Sequence, residues 1–194
     1  MSKAAFDLVI VGVGGQGTLL ASKILGRLAL SENCGVKVSE VHGMSQRGGS
    51  VITHVRVGDS VHSPMVALGG ADYLISFEAL EAARAACYLK PGGTAIVNTQ
   101  HILPMPVITG AAAYPENIVE KLKARANVVA LDAMQLALEA GNAKAVNMVL
   151  MGVLASRMDL PEDVWQVALA RQVPAKFLEL NRRAFALGQA QKGV

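Results

Sequence analysis

An apolar run, residues 6–11 (FDLVIV), passes straight into Gly12-Val13-Gly14-Gly15-Gln16-Gly17, and residues 18–30 then carry Leu19, Leu20, Ile24, Leu25 and Leu28 on one stripe. The pattern predicts a fully buried strand, a tight turn and an amphipathic helix returning over the sheet. A strand joined to a helix by glycines is the opening of an α/β unit, and it narrows the fold to that class. Gly12, Gly14 and Gly17 also fit G-x-G-x-x-G, with Gly15 in addition. Glycines there let the backbone approach a ligand, and the helix N-terminus offers N–H groups and partial positive charge that suit a phosphate. Gln16 and Thr18 stand where their side chains can add hydrogen bonds. A turn needed only for helix–strand packing would use the same glycines.

The next informative stretch is Ser39-Glu40-Val41-His42-Gly43-Met44-Ser45-Gln46-Arg47-Gly48-Gly49-Ser50, which follows a second strand pattern at residues 36–41. Glu40 ends that strand about 20 residues past the turn, where a dinucleotide-binding fold holds its ribose-binding acid. This leaves a nicotinamide-dependent dehydrogenase open. Against it, the chain runs on into a polar loop and a hairpin and forms no further βαβ unit. Arg47, flanked by Ser45, Gln46, Gly48 and Gly49, is a fork for phosphate or carboxylate, or a salt bridge ordering its own loop. His42 is an acid–base candidate or a plain loop histidine; Arg47 and His42 are the two catalytic candidates. His54 and His62 lie in strand patterns and read as structural.

Residues 50–57 (SVITHVRV) alternate, Gly58-Asp59 reads as a two-residue turn and residues 60–63 as the returning strand, so a β-hairpin is expected. Residues 73–76 and 94–98 read as buried strands around a helix at 78–89, stopped by Lys90-Pro91-Gly92-Gly93. Residues 101–115 read as an irregular connection. A helix at 117–126 and a strand at 128–131 follow, and then helices at 133–140, 143–157, 161–170 and 174–187. The expectation is a three-layer α/β/α, Rossmann-like domain over residues 1–160, with a mostly parallel, mixed sheet and the hairpin inserted in it. A C-terminal helical extension at 161–194 packs on the same domain. Ligands of such sheets lie outside the carboxyl ends of the strands, which directs attention to residues 12–17, 42–49, Phe77-Glu78, Asn98-Thr99 and Asp132. Glu78 and Asp132 also suit helix N-caps. Met148, Met151 and Met158 read as helix packing or an interface.

Composition narrows the function. Of 194 residues, 52% are hydrophobic and 17% charged, and mean hydropathy is +0.38. No apolar run reaches the roughly 18–20 residues a bilayer span needs, and the N-terminus reads as a strand and not as a signal peptide. The remaining explanation is surface covered by a partner chain. A net charge of +3 without basic runs gives nucleic-acid binding little support. Two cysteines, Cys34 and Cys87, form no disulfide framework or metal cage, suit the reducing cytoplasm and cannot ligate an iron–sulfur cluster.

The strings VGVGGQGTLLASKILG, SEVHGMSQRGGSVITHVRVG and ADYLISFEALEAARAACYLKPGGTAIVN together resemble the gamma domain of the 2-oxoacid:ferredoxin oxidoreductases, in particular the beta-subunit branch of the indolepyruvate type. The likeness covers roughly residues 5–160. It implies a non-cluster-bearing beta subunit, inactive alone, in a heterooligomer. A larger alpha subunit would carry thiamine diphosphate, magnesium and [4Fe-4S] clusters and pass electrons to ferredoxin. The reaction implied is oxidative decarboxylation of a 2-oxoacid, indolepyruvate or another arylpyruvate, to an acyl-CoA. Coenzyme A is then the co-substrate, and Gly12, Gly14, Gly15, Gln16, Gly17, Thr18, Ser45, Gln46, Arg47, Gly48 and Gly49 are the ligand-facing residues, with no metal ligand in this chain. A nucleotide-binding scaffold of Rossmann type is the other alternative.

Overall fold

A computed structural model describes residues 5–44 and 48–191. In it β1 (Phe6–Val13) leads into α1 (Thr18–Ser31), β2 (Gly35–His42), β3 (Ser50–Gly58), β4 (Ala71–Ser76) and α2 (Ala79–Ala85). Then come β5 (Leu89–Asn98), a short α3 (Met105–Ile108), α4 (Ile118–Lys123) and β6 (Asn127–Leu131). Four helices close the chain: α5 (Ala133–Ala140), α6 (Val146–Ala155), α7 (Glu162–Gln172) and α8 (Ala175–Gln189).

The strands form one sheet in the order β2-β3-β1-β4-β5-β6. β1, β4, β5 and β6 are mutually parallel, and β3 runs antiparallel to both its neighbours. The fold is therefore the expected mixed α/β type, but the hairpin is built differently from the sequence expectation. Residues 60–63 form no strand. β3 instead pairs with β2 on one side and β1 on the other, so the antiparallel neighbours consecutive in sequence are β2 and β3. Burial explains the choice. Beside β1, Val55 and Val57 enter the core with Leu8 and Phe6, whereas Ser60-Val61-His62-Ser63 would bring a single apolar side chain to a ladder. A second difference lies at Lys90-Pro91-Gly92-Gly93. These residues belong to β5, where the register slips from Ala71↔Leu89 to Tyr73↔Thr94, and the extra residues form a bulge.

Helices cover both faces. Phe6, Leu8, Ile10, Val55, Ile75 and Ile96 meet Ile24, Leu25 and Leu28 of α1 and the side chains of α5 to α8, with Trp165 and Phe185 among the largest fully buried groups. On the other face Val9, Val11, Leu74, Ala95 and Val97 meet Ala79 and Ala82 of α2 and Ile118 and Leu122 of α4. Every residue of α6 is buried, including Met148 and Met151, so much of the high hydropathy belongs to a central helix. No helix among the described residues is long and apolar enough to cross a membrane.

This wiring sets the crevice. β1 and β4 are adjacent and parallel, yet α1 leaves toward one face and α2 toward the other. Parallel sheets bind ligands at such a reversal, outside the carboxyl ends of the strands.

Candidate functional site

Gly12 lies in the buried end of β1 opposite Val51, and the buried run stops at Val13. Gly17 is the N-cap of α1 with φ +91°, a left-handed backbone that a side chain would strain. The second loop docks on this turn through its backbone. Gly14 N–H donates to the Gly49 carbonyl at 2.8 Å, and Gly48 N–H donates to the Gly14 carbonyl at 3.4 Å. The two glycine-rich segments, 34 residues apart at Gly14 and Gly48, thus form one structure at the carboxyl edge of the sheet. Ser45, Gln46 and Arg47 lie outside the described residues.

Gln16 reaches inward. Its Oε1 accepts from Val13 N–H at 2.7 Å, and its Nε2 donates to the Phe77 carbonyl at 3.1 Å and to Gln100 Oε1 at 3.5 Å. Fully buried Asn98 donates to the same Phe77 carbonyl at 3.0 Å and accepts from Ala133 N–H at 3.1 Å. These amides lock the glycine turn to the ends of β4 and β5 and to the start of α5. Asp132 caps α5 through Gln135 N–H at 2.9 Å. Glu78 caps α2 through Glu81 N–H at 2.9 Å and also accepts from Ile102 N–H at 3.2 Å and from the Tyr114 hydroxyl. Burial and the Glu78 hydrogen bond push the Tyr114 phenol well above its ordinary range. Glu81 accepts from Ser50 and from Arg84, which anchors the start of β3 to α2.

Two clefts flank the turn. One, of about 380 Å³, is lined by Gly14, Gly15, Gly17, Thr18, Leu19, Glu40, His42 and Val51. There Glu40 Oε2 accepts from Thr53 Oγ1 at 3.0 Å and from Thr18 Oγ1 at 3.4 Å. The carboxylate is thus held by the chain's own hydroxyls, and β3 separates β2 from β1, unlike the dinucleotide-binding strand order. This removes the structural basis for Glu40 as a ribose acid. His42 is exposed at the end of β2, and its Nδ1 contacts the Gly43 carbonyl at 3.0 Å.

The other cleft, of about 440 Å³, is lined by Gly15, Gln16, Gly17, Gln100, Ile102, Met134, Ala143, Lys144 and Val146. Lys144 escaped the sequence reading because it lies in no motif. Only the packing of α6 against the start of α1 brings it to the turn. Its one sequence signal was position, between the turn pair Gly141-Asn142 and an apolar helix. Among the described residues no group of three or more His, Cys, Asp or Glu side chains gathers as a metal site. The arrangement offers backbone amides, a cation and shape.

Comparison with known proteins identifies the family and the fold. The sequence matches the family model for pyruvate ferredoxin/flavodoxin oxidoreductase over residues 7–191. It is 45% identical over 191 residues to the indolepyruvate oxidoreductase subunit IorB of Pyrococcus horikoshii, covering 94% of both chains. It is 40% identical over 190 residues to the subunit of the same name in Archaeoglobus fulgidus, covering 95% of this chain and 94% of the relative. Among solved structures, the gamma subunit of a keto/oxoacid ferredoxin oxidoreductase from Geobacter sulfurreducens superposes with a TM-score of 0.71 at 23% identity, over 96% of this chain and 97% of that one. A 2-oxoglutarate:ferredoxin oxidoreductase from Magnetococcus marinus, solved with 2-oxoglutarate, coenzyme A and succinyl-CoA bound, gives 0.73 at 18% identity over 98% of this chain and 31% of that one. At such identities the structural likenesses speak for the fold.

Proposed function

This chain belongs to the pyruvate ferredoxin/flavodoxin oxidoreductase family as a small subunit of the indolepyruvate/2-oxoacid:ferredoxin oxidoreductase kind, and we propose that it completes a thiamine-diphosphate-dependent enzyme acting on indolepyruvate or another arylpyruvate. In the overall reaction the bond between the carboxylate and the 2-oxo carbon breaks and CO2 leaves. The acyl carbon forms a thioester with coenzyme A, the thiol proton is released, and the electron pair passes singly to ferredoxin.

The larger alpha subunit holds thiamine diphosphate, magnesium and the [4Fe-4S] clusters. A cluster takes four cysteine thiolates, and this chain has two cysteines, one buried and one exposed. Thiamine diphosphate supplies the electron sink for decarboxylation. This chain's residues bind and position coenzyme A, with the phosphates on the amide-lined turn at Gly15, Gly17 and Thr18 and with Ser45, Gln46, Arg47, Gly48 and Gly49 as the other ligand-facing residues. The observation that supports this reading is the Gly14–Gly49 and Gly14–Gly48 backbone pairing, which joins both glycine segments beside the carboxyl ends of the strands.

The test is reconstitution. The full chain, co-expressed with the large subunit encoded beside it, is expected to co-purify and to reduce ferredoxin only when a 2-oxoacid and coenzyme A are both present, with neither subunit active alone. Turnover by the isolated chain would overturn the proposal, as would full activity of the large subunit without it.

A further inference from the structure

The two clefts beside the glycine turn are chemically opposed. On the β2 side the wall is the Glu40 carboxylate, which repels an incoming anion. On the α6 side the wall is Lys144. Three residues further along is Asn147, and this spacing puts both on one face of the helical segment. Asn147 is 5% exposed. Its Oδ1 accepts from Met148 N–H at 2.9 Å, while nothing among the described residues accepts from its Nδ2. That nitrogen lies directly against the turn, where a Cβ built on Gly17 would come within 3.3 Å of it.

Asn147 is a nine-tenths-buried side chain whose amide N–H groups are left without a protein acceptor among the described residues, so they are available to a ligand. It sits where α1, a helix of 14 residues, begins at Gly17. Leu20 N–H donates to the Gly17 carbonyl at 3.1 Å, and the amides before it in the first turn have no helical carbonyl to bond and carry the positive end of the helix dipole. Lys144 also lines a second, more apolar groove with Leu20, Asn147, Val173 and Phe177, so it stands on the ridge between the two spaces.

We propose that Lys144 and Asn147, together with the start of α1 at Gly17, form an anion subsite that takes a phosphate or pyrophosphate group. The subsite places the anion on the α6 side of the glycine turn and away from Glu40. It deepens the coenzyme A reading above and rests on it only in the class of ligand, since both require a phosphate.

The probe is inorganic pyrophosphate, titrated at constant ionic strength into the isotopically labelled full chain and followed by amide resonances. The expected result is saturable binding that shifts Gly15, Gly17, Thr18 and the Asn147 side-chain amide. Lys144→Met and Asn147→Leu should each weaken it about tenfold, the size of one charge-assisted hydrogen bond, and Glu40→Gln should change it by less than about twofold. Lys144 is exposed, so its variant folds even where the buried Asn147 variant does not. Absence of saturable binding in the wild type would overturn the inference. So would unchanged affinity in Lys144→Met, or a large gain in Glu40→Gln, which would put the anion on the opposite side. Lys144-dependent pyrophosphate binding in a complex that turns over without coenzyme A would keep this inference and reject the co-substrate reading. Coenzyme A dependence without any Lys144 effect would do the reverse.

Discussion

Gly152→Ala tests whether the packing that brings α6 to the glycine turn is as tight as the structure requires. α6 and α8 cross with their backbones in contact. A Cβ built on Gly152 would lie 2.0 Å from the Phe185 carbonyl oxygen, and one built on Gly188 would lie 2.0 Å from the Val149 carbonyl oxygen. Carbon and carbonyl oxygen rest at roughly 3.3 Å or more, so one methyl must drive the helices apart by about 1 Å. Overpacking of that size costs about 1–3 kcal/mol directly. The gap it opens also forfeits roughly a quarter to a half of each nearby dispersion contact, here among fully buried Met148, Val149 and Phe185. A total of about 3–5 kcal/mol is expected, which for a chain of this size lowers Tm by roughly 10 °C or more. Thermal and urea denaturation of the purified full chain measure it. The two sites share one crossing, so the Gly152→Ala/Gly188→Ala double variant should cost clearly less than the sum of the singles. Gly26→Ala is the control. Nothing lies within 4 Å of its Cβ position, and mid-helix alanine should be neutral or stabilise by up to about 1 kcal/mol. A Gly152→Ala chain within about 1 kcal/mol of wild type, or strict additivity in the double variant, would refute the reasoning.

Tyr114→Phe removes a donor to the buried Glu78 carboxylate and should cost about 1.5–3 kcal/mol near neutral pH. Because the folded phenol titrates above its ordinary value of 10, the folded state keeps a proton that the unfolded chain loses. The stabilisation is therefore complete below pH 10 and declines as pH rises beyond it, and urea midpoints in alkali should fall more steeply for wild type than for the variant. Burial holds the His54 imidazole below its ordinary 6.5, and its Nδ1 accepts from Val66 N–H at 3.3 Å. The neutral form is the one that fits, so stability should be lost as pH drops below 6.5, and a His54→Phe chain should show a flatter acid limb of denaturant midpoints. Gln16→Leu leaves Val13 N–H and the Phe77 carbonyl without this side chain, a loss of about 1–3 kcal/mol. In the reconstituted enzyme it should raise KM for coenzyme A severalfold while leaving KM for the 2-oxoacid nearly unchanged.

Much of the architecture was legible in residue order. The apolar run at 6–11, the glycines after it and the stripe Leu19, Ile24, Leu25 and Leu28 predict β1, the turn and α1, all of which form. The capping parts of Glu78 and Asp132 were readable from short acids placed just before helices, and both accept the expected amide. The hairpin was misread for a definite reason. Alternation shows that residues 50–57 form a strand, but it does not choose between partners, and the adjacent Gly58-Asp59 suggested a local return. Burial of Val55 and Val57 between two longer strands outweighs that local signal. The bulge at Lys90-Pro91-Gly92-Gly93 was hidden similarly, because proline and glycine mark a break in either element.

By itself the sequence determined that a glycine turn follows a buried strand, that a second glycine-rich loop follows another, and that no cluster-binding cysteine set is present. It could do so because strand and helix periodicity, turn chemistry and thiolate count are local properties. Only the tertiary structure decided that Gly14 pairs with Gly48 and Gly49, that Gln16 turns inward, that Glu40 is held by Thr18 and Thr53, and that Lys144 and Asn147 reach the turn from more than 120 residues away. Those relations follow from a sheet order and from a glycine-to-glycine helix crossing. Both are settled by how the burial of many side chains adds up, and no short window of residues contains that sum.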